Sequence, residues 1–193
     1  GAEALASGSI DYAIAGGMES MTNAPYLLKK HRSGARIGHD TAYDHMFLDG
    51  LEDAYEPGRA MGSFAQVTAN EYQLTREAQD EFAIASLTRS QEATKTGKFA
   101  REIVPVTIKT RAGEVTVTED EQPKKGRPDK IPQLKPAFAK DGTITAATSS
   151  SISDGAAAVV LTRASVAEAK GLAPVARIVA TAAHAQAPAL FTT

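Results

Sequence analysis

The side chains best suited to chemistry stand in a run of hydroxyls that leads into Asp-Gly and a small apolar stretch. Residues 145–161 read TAATSSSISDGAAAVVL. A serine hydrolase would need flanking glycines, as in G-x-S-x-G, with a histidine and an acid converging on the serine, and Ser149 to Ser151 lack those glycines. Two other interpretations stay open: a polar turn whose hydroxyls satisfy backbone groups before a buried strand, and contact with a bulky ligand.

Two further groups of polar residues could contribute to a site. The cluster KKGRPDK at residues 124–130 is either a solvated loop or a clamp for a phosphate-bearing ligand, because Lys and Arg pair well with phosphate oxygens. The paired glycines in AGGMESM lack the spacing of a dinucleotide fingerprint. The four histidines match no metal motif, and we expect them to be structural or solvated: His31, His39, His45 and His184.

Composition bounds the class of protein. The 193 residues are 42% hydrophobic and 23% charged, with a formal net charge of −2, which fits an ordinary globular chain and argues against a nucleic-acid partner. No apolar run approaches the length that crosses a bilayer, so we expect no membrane partner. There is no cysteine, which excludes disulfides, zinc–thiolate sites and a cysteine nucleophile within these residues.

The elements that would position these residues follow an α-β, long mixed insertion, β-α-β order. Helices are predicted at 61–72, at 75–99 with Thr75 as N-cap, at 41–48 and at 165–170, and a hairpin around Ala112-Gly113. Buried strands are predicted at 12–15, ending in a tight turn at Gly16-Gly17, and at 155–161 and 175–182. The pattern favours a buried sheet covered on both faces. Both termini fall inside predicted elements, so we expect a fragment.

Several motifs in order along the chain closely resemble the thiolases, the acetyl-CoA acetyltransferase and 3-ketoacyl-CoA thiolase family. They are AGGMESMTNAPYLL (15–28), GLEDAY (50–55), the helical stretch that begins AMGSFAQ (60–66), LKPAFAKDGTITA (134–146) and SDGAAAVVL (153–161). The resemblance implies an α/β fold, a partial thiolase-like αβαβα core with an inserted α+β loop domain. Residues 1–20 and 153–174 would belong to the first core half, 21–152 to the coenzyme A-binding loop domain, and 175–193 to the start of the second half.

The resemblance also implies a reaction, thiolytic cleavage or Claisen condensation of acyl-CoA through a cysteine acyl-enzyme. The family's nucleophile motif would stand about ten residues before Gly1, and its histidine and second cysteine motifs after Thr193, so no catalytic residue is assigned and this chain alone is expected to be inactive. The alternative is a short, non-catalytic thiolase-like protein that binds coenzyme A or a partner.

The binding surface is what the resemblance carries over to this chain. Ser151 stands where the family has glycine, which puts the geometry of that turn in question. The resemblance implies coenzyme A as substrate with no further cofactor, a homo-oligomeric parent, dimer or tetramer, and a cytoplasmic location. The implied coenzyme A- and acyl-contacting residues are Leu51, Met61, Lys124, Leu134, Phe138, Ala146 and Ser150.

Overall fold

The computed structural model describes residues 1–193 and divides into two compact units. Unit 1 comprises residues 1–58 and 152–191, and unit 2 comprises residues 59–151 and 192–193. This division follows the contacts of the chain, whereas the boundaries predicted at 20–21, 152–153 and 174–175 follow the family's domains and stay a prediction. None of the helices combines the length and apolar character that crossing a bilayer requires.

Unit 1 is built on an antiparallel pair of strands. Strand β1 lies against β6 with Tyr12 opposite Thr162 and Glu19 opposite Gly155. Arg163 follows β6 and donates to the carbonyls of Leu5 and Ile10, each at 2.9 Å. The elements of unit 1 are α1 (Ala2–Ala6), β1 (Tyr12–Glu19), β2 (Tyr26–Leu28), β3 (Ala42–Asp44), a π-helical turn (Phe47–Leu51), β6 (Gly155–Thr162), α5 (Ala164–Ala169) and two 3-10 turns (His31–Ser33, Pro188–Leu190).

The paired glycines of β1 are a strand interior and not a turn. The prediction that Gly16-Gly17 ends the strand is wrong, because β1 continues to Glu19. A Cβ built on Gly16 would lie 2.3 Å from the carbonyl oxygen of Ala157 on β6. Glycine at this position therefore allows the two backbones to approach closely.

The strands of unit 1 are also more exposed than their sequences predict. Gly155–Thr162 is a strand as expected, but Ile14 on β1 is 80% exposed and Val160 on β6 is 72% exposed. The prediction of buried strands is wrong for this chain, because a sheet of two strands cannot cover its own faces. Residues 175–182, predicted as a further strand, form no regular element.

Residues 41–48 differ from the predicted helix only in their first half. Ala42–Asp44 is strand β3, which pairs with β2 so that Leu27 lies opposite Tyr43, whereas residues 45–48 are helical and lead into the π-helical turn Phe47–Leu51. The Nζ atom of Lys29 lies 4.0 Å from the centre of the Tyr43 ring, a cation–π contact that favours the hairpin. The cross-strand contacts therefore determine the secondary structure of residues 42–44, a segment too short for its hydrophobic periodicity to distinguish helix from strand.

Unit 2 contains the two long helices, and the sequence predicts them well. Helix α3 begins after Thr75, whose hydroxyl accepts from the Ala78 N–H at 3.2 Å, and ends before Gly97, which has a φ of 71°. The elements of unit 2 are α2 (Met61–Glu71), α3 (Arg76–Lys95), β4 (Val106–Thr110), β5 (Gly113–Val117), α4 (Glu121–Lys125) and two 3-10 turns (Pro128–Gln133, Ala146–Thr148). Its buried apolar residues are Phe64, Ala69, Ala83, Ile131 and Ile144.

Asp154, the residue before β6, gives unit 1 an acid-sensitive contact. Its Oδ1 accepts from the Thr22 N–H at 2.9 Å, and this bond holds the pKa of Asp154 below its ordinary value of 3.8. A lowered pKa stabilises the fold above pH 3.8, and the stabilisation is lost as the pH falls through the folded-state pKa. We expect the urea midpoint of Asp154→Asn to fall below wild type above pH 3.8, with the difference shrinking in acid. Asp141→Asn, which removes no side-chain hydrogen bond, should show no such trend, and a pH-independent difference would contradict the assignment.

The exposed apolar face of the β1–β6 pair should make this chain self-associate. Large exposed apolar patches associate in water because association removes them from solvent. We expect sedimentation velocity to show a concentration-dependent average mass for wild type, and the double variant Ile14→Thr, Val160→Thr to reduce that dependence. Ile37→Thr is the control, because Ile37 is exposed and lies outside the strand pair. A concentration-independent monomer would count against the prediction.

Candidate ligand-binding cleft

Unit 2 contains an open cleft between its two long helices and the irregular segment 120–151. The cleft has a volume of about 1310 Å³, larger than the roughly 300–1,000 Å³ of sites for drug-sized molecules. Helix α3 contributes an apolar strip that includes Phe82, Ala83 and Leu87. Phe82 is 77% exposed, so this strip offers an aromatic ring to a ligand. The cleft therefore suits a long ligand with both apolar and polar parts.

One edge of the cleft is basic. Lys125, Arg127 and Lys130 line it, so part of the cluster predicted from the sequence does face the cleft. Lys125 pairs with Glu121 at 2.5 Å and Arg127 with Asp129 at 3.3 Å. Exposed ion pairs of this kind contribute little free energy, so the carboxylates can give way to a phosphate.

Lys124 lies outside the cleft lining, one residue away from it. Its Nζ donates to Glu119 Oε2 at 2.7 Å, and this hydrogen bond raises the pKa of Lys124 above its ordinary value of 10.5. The side chain is therefore a permanent cation at neutral pH. It stands next to the cleft-lining residues Pro123 and Lys125.

The other edge of the cleft carries the hydroxyl run. Thr145 is fully buried and caps the 3-10 turn Ala146–Thr148 through a reciprocal capping box with Thr148. Ser149 Oγ donates to the Thr145 carbonyl at 2.8 Å, as a polar turn requires. Ser150 is exposed in the cleft and its hydroxyl makes no hydrogen bond within the chain. This hydroxyl is available to a ligand.

A hydrolase arrangement has no support inside this unit. Residues 59–151 and 192–193 contain no histidine, since the four histidines of the chain all fall in unit 1. The serines of the run therefore have no imidazole base in the unit that holds them.

Gln66 on helix α2 fixes the backbone that leads into the hydroxyl edge. Its Oε1 accepts from the N–H groups of Thr143 and Ile144, at 2.8 and 3.2 Å. Its Nε2 donates to Asn70 Oδ1 at 2.9 Å and to Thr143 Oγ1 at 3.2 Å. Gln79 of α3 donates to the same Thr143 hydroxyl at 2.9 Å. A segment with no ladder partner of its own is thus satisfied by side chains.

The irregular segment 120–151 forms one wall of the cleft, and the middle of this wall is fixed by Arg76, on the first turn of α3. Its guanidinium donates to the carbonyls of Ile131 and Leu134, at 3.2 and 2.8 Å, and to Asp80 Oδ2 at 2.8 Å. Asp80 is buried, and its Oδ1 has no hydrogen-bond partner. Arg76 therefore both neutralises a buried carboxylate and holds the backbone beside the cleft residue Leu134.

The basic edge is fixed by a third polar side chain, Gln91. Its Nε2 donates to the carbonyls of Pro123 and Gly126, at 2.8 and 3.1 Å. One turn earlier on α3, Leu87 lies directly against Gly126, where an added Cβ would be 2.5 Å from Leu87 Cδ1. The α4 segment therefore rests directly on helix α3.

The structure groups the sequence-predicted binding residues in part. Leu134, Ala146 and Ser150 line the cleft together. Met61 and Phe138 do not line it. Met61 is the first residue of α2, and Phe138 lies against the next residue, where a Cβ on Gly62 would be 2.2 Å from Phe138 Cζ. Leu51 lies in unit 1, in the π-helical turn.

Sequence reasoning missed Gln66, Arg76 and Gln91. Each is a polar residue within a helix, and such residues ordinarily face solvent. No pattern in the sequence marks these three, because their partners are backbone groups of a segment far along the chain.

The comparisons with known proteins agree with one another. The profile of the family described as thiolase, N-terminal domain, matches residues 1–165. A probable acetyl-CoA acetyltransferase of Dictyostelium discoideum is 48% identical over all of this chain and 47% of its own length. An acetyl-CoA acetyltransferase of Saccharomyces cerevisiae is 46% identical over all of this chain and 49% of its own length. The solved acetyl-CoA acetyltransferase of Syntrophomonas wolfei has a TM-score of 0.78 at 39% identity, over 89% of this chain and 43% of that chain. The chain thus spans about half the length of the curated relatives it matches.

Arg76→Met should destabilise the protein, because it leaves Asp80 buried without a counter-charge and frees the Ile131 and Leu134 carbonyls. Removing one partner of a buried ion pair loses about 3 kcal/mol or more of unfolding free energy. Urea denaturation followed by circular dichroism measures it. Arg89→Met, on the exposed face of the same helix, should change stability by less than about 0.5 kcal/mol. Equal effects of the two substitutions would contradict the assigned role.

Proposed function

This chain belongs to the thiolase family, and we propose on that basis that its second compact unit binds coenzyme A in the cleft described above. The predicted fold class, a partial α/β thiolase fold, is confirmed along with the family. We take coenzyme A, free or acylated, to be the ligand, and to be a substrate with no further cofactor.

The observation that carries the proposal is the chemical difference between the two edges of one cleft. Coenzyme A has a phosphorylated adenosine diphosphate at one end and a long pantetheine arm with two amides at the other. Lys125, Arg127 and Lys130 offer cations to the phosphates. Ser150 offers a hydroxyl to an amide of the pantetheine arm, and the small side chain of Ala146 leaves room for it.

The remaining predicted contacts are part of the same proposal. We assign Leu134 to the apolar side of the pantetheine arm, because it lines the cleft and lies in sequence between the residues of the basic edge and those of the hydroxyl edge. We assign Lys124 to the phosphates as a cation next to the cleft lining, whose charge adds to that of Lys125. On the family resemblance, Met61 is assigned to the acyl end, and Leu51 and Phe138 to the pantetheine and adenine part of the ligand. None of the three lines the cleft.

For the whole protein we propose an acyltransferase that cleaves or condenses acyl-CoA thioesters through a cysteine acyl-enzyme. The relatives named above are acetyl-CoA acetyltransferases. These 193 residues contain no cysteine, so the nucleophile has to be supplied from outside them, and we expect this polypeptide alone to bind the substrate without turning it over. We further propose a homo-oligomeric parent, dimer or tetramer, in the cytoplasm.

The alternative is a non-catalytic thiolase-like protein that binds coenzyme A or a protein partner. The two differ in the length of the expressed reading frame and in activity. A longer frame whose product forms acetoacetyl-CoA from acetyl-CoA supports the acyltransferase. A frame of this length, with binding and no turnover, supports the alternative.

Coenzyme A should bind to the 193-residue chain, and Ser150→Phe should weaken binding at least about tenfold, because a ring at this position fills the hydroxyl edge. Isothermal titration calorimetry measures the dissociation constant. Ser165→Phe is the matched control, since Ser165 is exposed on α5 in unit 1. Absence of coenzyme A binding to wild type, or equal affinity for Ser150→Phe, would remove the proposed site.

A further inference from the structure

We propose that Gln91 and Gln66 are positioning residues that set the two edges of the cleft independently, Gln91 the basic edge and Gln66 the hydroxyl edge. Neither side chain lines the cleft. Each acts through the backbone of the segment that does. The inference rests on the proposed coenzyme A function. Gln91 then controls binding of the phosphates, and Gln66 controls binding of the pantetheine arm.

Gln91 determines where the basic edge lies because its amide spans the end of helix α4. Its two hydrogen bonds reach the carbonyls of Pro123 and Gly126, on either side of Lys125. The contact of Leu87 with Gly126 leaves no room for a side chain between α3 and this segment. Two separate interactions from one face of α3 therefore place Lys125, and with it Arg127.

Helix α4 cannot hold that position by itself. It has five residues, far fewer than an isolated helix needs to be stable in water. Asp120 caps its start, accepting from the Gln122 N–H at 3.0 Å, but within α4 and its caps no side chain satisfies the carbonyls at its end. Removing the Gln91 amide leaves the Gly126 carbonyl to water and the Pro123 carbonyl with only the Gly126 N–H, at 3.3 Å, which frees the basic edge to move.

Gln66 has the corresponding role at the hydroxyl edge. The side chain is only 6% exposed, and both its oxygen and its amide nitrogen are used, twice each. A Cβ on Gly142 would lie 2.6 Å from Gln66 Oε1, so the chain passes directly over the amide. The next residues are Thr145 and the capped turn that carries Ala146, with Ser150 just beyond.

The two edges are separated by a fixed point. Arg76 holds the carbonyls of Ile131 and Leu134, between the segment that Gln91 binds and the segment that Gln66 binds. Gln91 and Gln66 share no hydrogen-bond partner. Changes at sites without shared partners are close to additive, so displacement of one edge should stop at the Arg76 contact.

The test measures the two halves of the ligand separately on the full 193-residue chain. Adenosine 3′,5′-bisphosphate carries phosphates without the arm, and pantetheine is the arm without phosphates. Gln91→Leu should weaken the bisphosphate roughly tenfold and change pantetheine less than about twofold, and Gln66→Leu should do the reverse. Tenfold corresponds to the loss of one to two ordinary hydrogen bonds. Chemical-shift titration by NMR gives both dissociation constants.

Matched controls lie on the same helices. Glu92→Leu on α3 and Glu71→Leu on α2 introduce the same side chain at exposed neighbours and should leave both affinities unchanged. If a leucine variant does not fold, the shorter amides Gln91→Asn and Gln66→Asn keep polarity while losing reach. They should show the same crossed pattern at smaller size.

The outcomes separate this inference from the function it rests on. If wild type binds neither half nor intact coenzyme A, the proposed function fails and the inference with it. If wild type binds but each variant weakens both halves alike, the two residues merely support the fold. If wild type binds and the variants change nothing, the edges do not depend on them. Only the crossed pattern supports the assignment.

Discussion

Unit 2 depends on one constraint, that the backbone polar groups of a long irregular segment must find hydrogen-bond partners. Between residues 120 and 151 the chain forms only a five-residue helix and short 3-10 turns. A backbone N–H or carbonyl left unpaired away from water is costly. Helices α2 and α3 meet this demand with amide and guanidinium side chains directed at backbone groups. The wall of the cleft is therefore held by the helices behind it.

The same arrangement explains why the cleft can be open and still ordered. Because the wall is fixed through its backbone, an outward side chain such as that of Ser150 makes no hydrogen bond that the fold needs. Glycine strengthens the effect where the segment touches a helix, because at Gly126 and Gly142 a side chain would enter Leu87 or the Gln66 amide. Ligand-facing and fold-supporting functions are thus divided between different residues.

The sequence predicted the parts whose signals are local. Thr75 as an N-cap and the Ala112-Gly113 hairpin depend on a few neighbouring residues, and the structure has both. The predicted burial of β1 and β6 is wrong, because an apolar run shows that a strand can be buried but does not show that another element packs against it. Gly16-Gly17 was misread as a turn because glycine is favoured both in turns, for its conformational freedom, and in strands whose backbones approach closely. Gln66, Arg76 and Gln91 were missed because their partners lie far away in sequence.

The ion pairs along the basic edge have a kinetic consequence. Lys124, Lys125 and Arg127 each have a carboxylate partner at 2.5 to 3.3 Å, so from beyond about one Debye length, roughly 8 Å in physiological salt, those pairs look nearly neutral. These three pairs therefore add little long-range attraction for an approaching polyanion. Under the proposed function, phosphate is recognised at contact, when an incoming oxyanion replaces a resident carboxylate. An anion binds at this edge only if it displaces a carboxylate from an existing ion pair, which disfavours the capture of weakly binding anions.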